Sequence, residues 1–131
     1  MNVFVDSGYY LARLMPQDQW HRAALRAVAP GMRFFTSSLV VNETITLLQR
    51  RGFFSASLEF LEQVRSNEHL EIVFPDAALQ AAGWDLFEKW GGSGASAVDC
   101  LSFAIMKRHG IRKAFTFDDH FRKPGFEILK G

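Results

Sequence analysis

Short apolar runs alternate with longer stretches of helical periodicity along the whole chain, and that alternation limits the folds open to it. Val3-Phe4-Val5 is apolar throughout and stops at Asp6-Ser7-Gly8, as suits a strand covered on both faces. Helical pattern follows over about Tyr9–Met15 and breaks at Pro16. A second helix is expected from Asp18, an N-cap type, to Val28, ended by Pro30-Gly31. Arg33–Thr36 reads as a second strand, and Ser37 or Ser38 caps a helix that reaches Arg51, with Gly52 as its stop. Further on, the pattern predicts a helix over about Ser55–Ser66, a strand over Leu70–Phe74 and a helix over Asp76–Trp90. The Gly91–Gly94 loop leads into a helix over Ser96–His109, followed by strands at Lys113–Thr116 and Phe126–Leu129.

Strands separated by helices imply right-handed crossovers and an α/β fold, with a mostly parallel sheet of about five strands layered between helices. A chain of 131 residues suits one such domain over residues 1–131. The single cysteine, Cys100, permits neither a disulfide within one chain nor a cysteine zinc site, and a reducing cytoplasm is the expected setting. No segment approaches the roughly 20 apolar residues that span a bilayer. The formal charge of +1 is not the basic excess of a protein that holds nucleic acid by charge alone. It leaves room for a nuclease, because acidic ligands lower the net charge while metals restore positive charge locally.

Sites in parallel sheets lie beyond the carboxyl ends of the strands, and there the sequence places acids. Asp6 follows the first strand, Glu43 lies in the first turns of the helix after the second, Asp99 opens the helix entered through the glycine-rich loop, and Asp118 and Asp119 follow the fourth strand. No His, Cys or Ser stands with them in a catalytic spacing. Such a rim of carboxylates suggests a hard divalent cation held by oxygen. Packed carboxylates raise one another's pKa; a cation removes that cost, and water activated beside it can attack a phosphodiester.

Each acid also has a plainer reading. Asp6 can close the strand by an Asx turn with Ser7 and Gly8. Asp99 stands three residues after Ser96, the spacing of a capping box, a role compatible with ligation because a carboxylate has two oxygens. Asp118 and Asp119 can be turn acids. Glu43 is harder to dismiss: it lies among Val40, Val41, Ile45, Leu47 and Leu48 with no basic residue within one turn, and a buried glutamate is costly unless paired.

These residues carry a resemblance to the PIN-domain family. Val3-Phe4-Val5-Asp6-Ser7, Ser38 to Glu43, Ser96 to Ala104 and Thr116 to Phe121, followed by Gly125-Phe126, are similar to that family's four motifs in order. The resemblance implies a three-layer α/β/α domain that cleaves RNA. It makes Asp6, Glu43, Asp99 and Asp118 catalytic ligands of Mg²⁺ or Mn²⁺, with Ser7 and Thr116 supporting them by hydrogen bonds. Asp119 falls at a variable position and reads as a solvated neighbour. The length resembles the VapC-like toxins, which implies a homodimer inhibited by a small antitoxin. The family also contains processing nucleases without antitoxins.

Among the remaining features, Arg112, Lys113, Arg122 and Lys123 flank the Asp118 segment and are candidates for phosphate contacts. Phe53, Phe54, Leu58, Phe60 and Leu61 read mainly as core, the rest forming an exposed groove for a partner helix or a dimer face; the resemblance would place the antitoxin there. Trp20, Trp84 and Trp90 read as core or interface, Cys100 as a buried small residue, and His120 as a surface residue. A receiver-like signalling module is argued against by Ser7 after Asp6 and by Phe74-Pro75 after the third strand. A catalytically silent PIN-like scaffold that binds RNA or protein is the other alternative; loss of one or more acids would favour it, and none is missing.

Overall fold

The structure, a computed structural model, describes residues 1–129; Lys130 and Gly131, the end of the expected domain, lie outside the described residues. The strands are β1 (Asn2–Val5), β2 (Arg33–Ser37), β3 (Leu70–Val73), β4 (Lys113–Phe115) and β5 (Glu127–Leu129). The helices are α1 (Ser7–Leu14), α2 (His21–Arg26), α3 (Ser38–Arg50), α4 (Phe54–Ser66), α5 (Ala77–Trp90) and α6 (Ala97–Arg108), with short 3₁₀ turns at Gly91–Ser93 and Asp119–Arg122. The sheet order is β3-β2-β1-β4-β5, and every pairing is parallel.

Side-chain alternation along β1 assigns its residues to two helical layers. Val3 and Val5 pack with Tyr9, Ala12, Ala24 and Phe115 on the side of α1 and α2. Phe4 points the other way, into a cluster with Phe35, Ala114, Leu79 of α5 and Leu101, Phe103 and Ile105 of α6. Burial on both faces explains why the strand is apolar throughout. Helix α3 bridges the layers: Val40 joins the α5–α6 cluster, while Val41 and Leu48 pack with Phe60 and Val64 of α4. Gly83 lets α5 lie close on α6, since a Cβ there would stand 3.1 Å from the Leu101 Cα.

The predicted elements are all present, with one shortened. Asp18 does not cap a helix directly. Its carboxylate accepts from the Trp20 N–H at 2.8 Å and its carbonyl from the His21 N–H at 3.1 Å. Bonding two residues ahead is the turn chemistry of aspartate, and it delays α2 to His21. Among the described residues no helix is long and apolar enough to cross a membrane.

The chain leaves β1 for β2 and β3 on one side, then returns to lay β4 and β5 on the other. The direction of winding reverses between β1 and β4, so the crevice for a site lies beyond the carboxyl ends of those two strands.

Candidate metal centre

One hydrogen bond spans that crevice. Thr116 Oγ1, one residue past β4, donates to Asp6 Oδ2, one residue past β1, at 2.8 Å, and both residues are buried. The same Thr116 oxygen accepts from the Asp118 backbone N–H at 3.0 Å. The Asp6 N–H bonds the Phe115 carbonyl at 3.0 Å, extending the ladder by a step. Asp6 precedes α1 but makes no side-chain capping bond, so its carboxylate is turned to the crevice rather than to the helix.

The other acids arrive by local devices. Asp99 and Ser96 form the expected capping box: Asp99 Oδ2 accepts from the Ser96 N–H and Ser96 Oγ from the Asp99 N–H, each at 3.0 Å. That leaves Asp99 Oδ1 for another partner. Asp118 Oδ1 accepts from the His120 N–H at 2.9 Å, so its turn role and its place at the site coincide. Glu43 is half-buried rather than fully buried, and its partner is the Ser7 hydroxyl, which donates to Oε1. That bond supplies compensation the sequence left unassigned.

The acids feel one another. Burial, then the negative charge of Asp99, push the Asp6 carboxyl up to about 7, with Glu43 adding and the Thr116 hydrogen bond opposing. The Asp99 carboxyl is likewise raised, chiefly by burial and further by Asp118, against the bonds from Ser96.

His120, assigned to the surface by sequence, is drawn into this cluster. Ligand atoms of Asp99, Asp118 and His120 all lie within 4.8 Å of one another. His120 Nδ1 is buried and stands 2.6 Å from Asp118 Oδ1, yet makes no hydrogen bond. Two carboxylates and an imidazole gathered so closely fit a shared divalent cation with oxygen and nitrogen donors. The glycine-rich loop is the other wall of the His120 pocket. The Ser93 carbonyl lies 3.2 Å from His120 Nε2. Gly94 has φ +105°, and a Cβ there would stand 2.8 Å from the same nitrogen.

The remaining candidates divide. Asp119 is exposed and pairs with Arg122 Nε at 3.3 Å; Arg122 and Lys123 stand on the rim segment that follows Asp118. Arg112 and Lys113 are not brought to the acids: they lie at the amino end of β4, and Lys113 Nζ stands 4.0 Å from Glu127. Cys100 is buried as expected. Phe60 is core, whereas Phe53, Phe54 and Leu58 are exposed, as are Trp20 and Trp84. A cavity of about 420 Å³ opens between α1 and α4, lined by residues such as Tyr10, Arg13 and Phe60 and by none of the acids.

The profile of the PIN domain matches residues 3–127. The chain is 32% identical over 126 residues, 95% of each sequence, to the 23S rRNA-specific endonuclease VapC20 of Mycobacterium tuberculosis. The crystal structure of that VapC20, described as a Sarcin-Ricin loop cleaving toxin, superposes with a TM-score of 0.86 over 95% of each chain. VapBC2 from Rickettsia felis, bound to a DNA fragment from its promoter, shares the fold at a TM-score of 0.71 and 15% identity, covering 98% of this chain and 97% of that one. FitAcB from Neisseria gonorrhoeae does so at 0.65 and 17%, over 98% and 96%.

Proposed function

The chain belongs to the PIN-domain family, and on that premise we propose that it is a metal-dependent endoribonuclease, the toxin of a toxin–antitoxin pair, that cuts 23S rRNA in the cytoplasm. The observation that carries this reading is the bond from Thr116 to Asp6 across the β1–β4 crevice, with Asp99, Asp118 and Glu43 around it. The likeness to VapC20 over 95% of both chains supports the choice of substrate. The exposed apolar side chains of Phe53, Phe54 and Leu58 support an antitoxin contact near the α3–α4 turn. We further take residues 1–131 as a single nuclease domain that works as a homodimer.

Asp6, Asp99, Asp118 and Glu43 would hold Mg²⁺ or Mn²⁺, with His120 beside them. The bound cation supplies activation of water and stabilisation of charge on the phosphate. Thr116 fixes the rotamer of Asp6 and ties Asp118 to it. Ser7 orients Glu43. Asp99, held by its cap, keeps one oxygen free at the crevice. Arg122 and Lys123 stand where the phosphates of a strand lying along the rim would pass. Hydrolysis of this type leaves a 5′-phosphate and a 3′-hydroxyl.

The test is cleavage of 23S rRNA in purified ribosomes, with Mg²⁺ or Mn²⁺ and with EDTA. A single cut that EDTA abolishes supports the proposal. Cuts insensitive to EDTA, or ends carrying a 2′,3′-cyclic phosphate, would contradict it. Thr116→Val keeps the volume of the side chain but loses both hydrogen bonds. It is expected to weaken metal affinity or activity by ~10–100-fold, the usual scale for a residue supporting a ligand, readable by Mn²⁺ titration.

A further inference from the structure

The four acids alone do not choose between Mg²⁺ and Mn²⁺; the imidazole of His120 can. Three neighbours fix it. Its backbone N–H bonds Asp118 Oδ1 at 2.9 Å. Its Nε2 lies 3.2 Å from the Ser93 carbonyl, which can only accept, so the proton of that contact is on Nε2. Gly94 makes room for the ring: a Cβ there would stand 2.8 Å from Nε2. The other nitrogen, Nδ1, is buried 2.6 Å from Asp118 Oδ1. An imidazolium paired with Asp118 would donate a hydrogen bond from Nδ1, and Nδ1 makes none. Histidines that hold metals show the same division, one ring nitrogen donating to a carbonyl or carboxylate and the other on the ion. Donor atoms of Asp99, Asp118 and His120 lie within 4.8 Å of one another. Around one ion, with bonds of roughly 2.0–2.6 Å, donors stand no more than about 5 Å apart. The loop that carries Ser93 and Gly94 runs directly into the Ser96–Asp99 capping box, so one backbone segment positions both the imidazole and Asp99.

We propose that His120 Nδ1 is a ligand of the cation held by Asp99 and Asp118, and that this nitrogen makes the centre take Mn²⁺ in preference to Mg²⁺. The inference rests on the metal-dependent nuclease reading above and deepens it by choosing the ion. Mg²⁺ demands near-ideal octahedral geometry, gives up its waters reluctantly and is bound through oxygen. A fixed imidazole asks it to exchange a water for a softer donor, in a place set by Ser93 and Gly94 rather than by the ion. Imidazole suits first-row transition ions, and carboxylates suit Mn²⁺ as well as Mg²⁺. A donor set of two carboxylates and one imidazole therefore favours Mn²⁺ without excluding Mg²⁺. Gly94 serves the same selection at one remove, because any larger residue would push the ring from its place.

The experiment uses the full chain, with Mn²⁺ and Mg²⁺ as the probes. Pulsed electron paramagnetic resonance of bound Mn²⁺, in protein carrying ¹⁵N-labelled histidine, reads a ring nitrogen bonded to the ion. That coupling should be present in the unmutated chain and in His69→Ala, which removes an exposed histidine elsewhere. It should be absent from His120→Ala and His120→Asn. In equilibrium dialysis, His120→Ala should weaken Mn²⁺ binding ~10–100-fold, the scale for residues that hold or support a metal, and Mg²⁺ binding far less. His120→Asn puts an amide oxygen near the place of Nδ1 and should keep Mg²⁺ binding while its preference for Mn²⁺ falls. Circular dichroism and melting of each variant show whether the fold is kept. Ligation by His120 is overturned if bound Mn²⁺ shows no histidine coupling, if the coupling survives in His120→Ala, or if a folded His120→Ala weakens both ions equally. Mn²⁺ that binds and supports EDTA-sensitive cleavage without that coupling would remove His120 alone. Failure of both ions to bind would overturn the metal-dependent nuclease reading with it.

Discussion

Replacing Asp6 by asparagine is expected to lower RNA cleavage by at least ~10²-fold, the scale on which single charge-stabilising groups of active sites act, while the fold stays intact. The side chain is buried at the centre of the crevice, and its Oδ2 is the acceptor for Thr116. Asparagine keeps the size and can keep that hydrogen bond through its carbonyl oxygen. What it loses is the buried negative charge that Asp99 and Glu43 act on, on which the proposed cation binding depends. Asp99→Asn should act similarly, since its amide oxygen can still accept from the Ser96 N–H. Cleavage of 23S rRNA under multiple-turnover conditions, with circular dichroism to show the fold, measures the effect. Full activity in either variant would sink the assignment of these acids to catalysis.

The same substitution should stabilise the metal-free protein at alkaline pH. Burial and Asp99 raise the Asp6 carboxyl from the ordinary 3.8 to about 7. Between those values the folded chain holds a proton that the unfolded chain has released. Stability contributed by this group is therefore full below the unfolded value and is lost as pH rises through the folded one. At about 1.4 kcal/mol per pKa unit, the loss is on the order of a few kcal/mol. Asp6→Asn has no such charge to bury. In EDTA, urea titrations at pH 5 and pH 8 should show the unmutated chain losing stability relative to the variant, and Mg²⁺ should restore it more at pH 8 than at pH 5. Parallel curves for the two proteins would mean that Asp6 does not carry the strain of the empty cluster.

Much of this centre was legible from sequence because its acids follow strand ends, and strand ends in a parallel sheet share a rim. The apolar run Val3–Val5 and the strand read over Lys113–Thr116 put Asp6 and Asp118 after strand ends; the interval from Ser96 located Asp99 and its cap. Three features were not legible. His120 joins the cluster because the residues after Asp118 wind into a 3₁₀ turn, and a turn that short leaves no periodicity to read. Arg112 and Lys113 are close to Asp118 in sequence but stand at the opposite end of β4, which chain order alone obscures. The glycine-rich loop lacks a phosphate-loop pattern, and its purpose emerges only from space: Gly94 is small because the His120 ring lies where its side chain would be.

Asp99 belongs to the architecture as well as to the proposed centre, because its reciprocal bonds with Ser96 start α6, the helix whose buried side chains fill the larger core cluster. A chain disarmed for use as an inert carrier or as a trap for its partner is therefore better altered at Asp6, which caps nothing, than at Asp99. Truncating Asp99 to alanine would loosen the first turn of α6 along with silencing the site, and a loss of function there would report on two things at once.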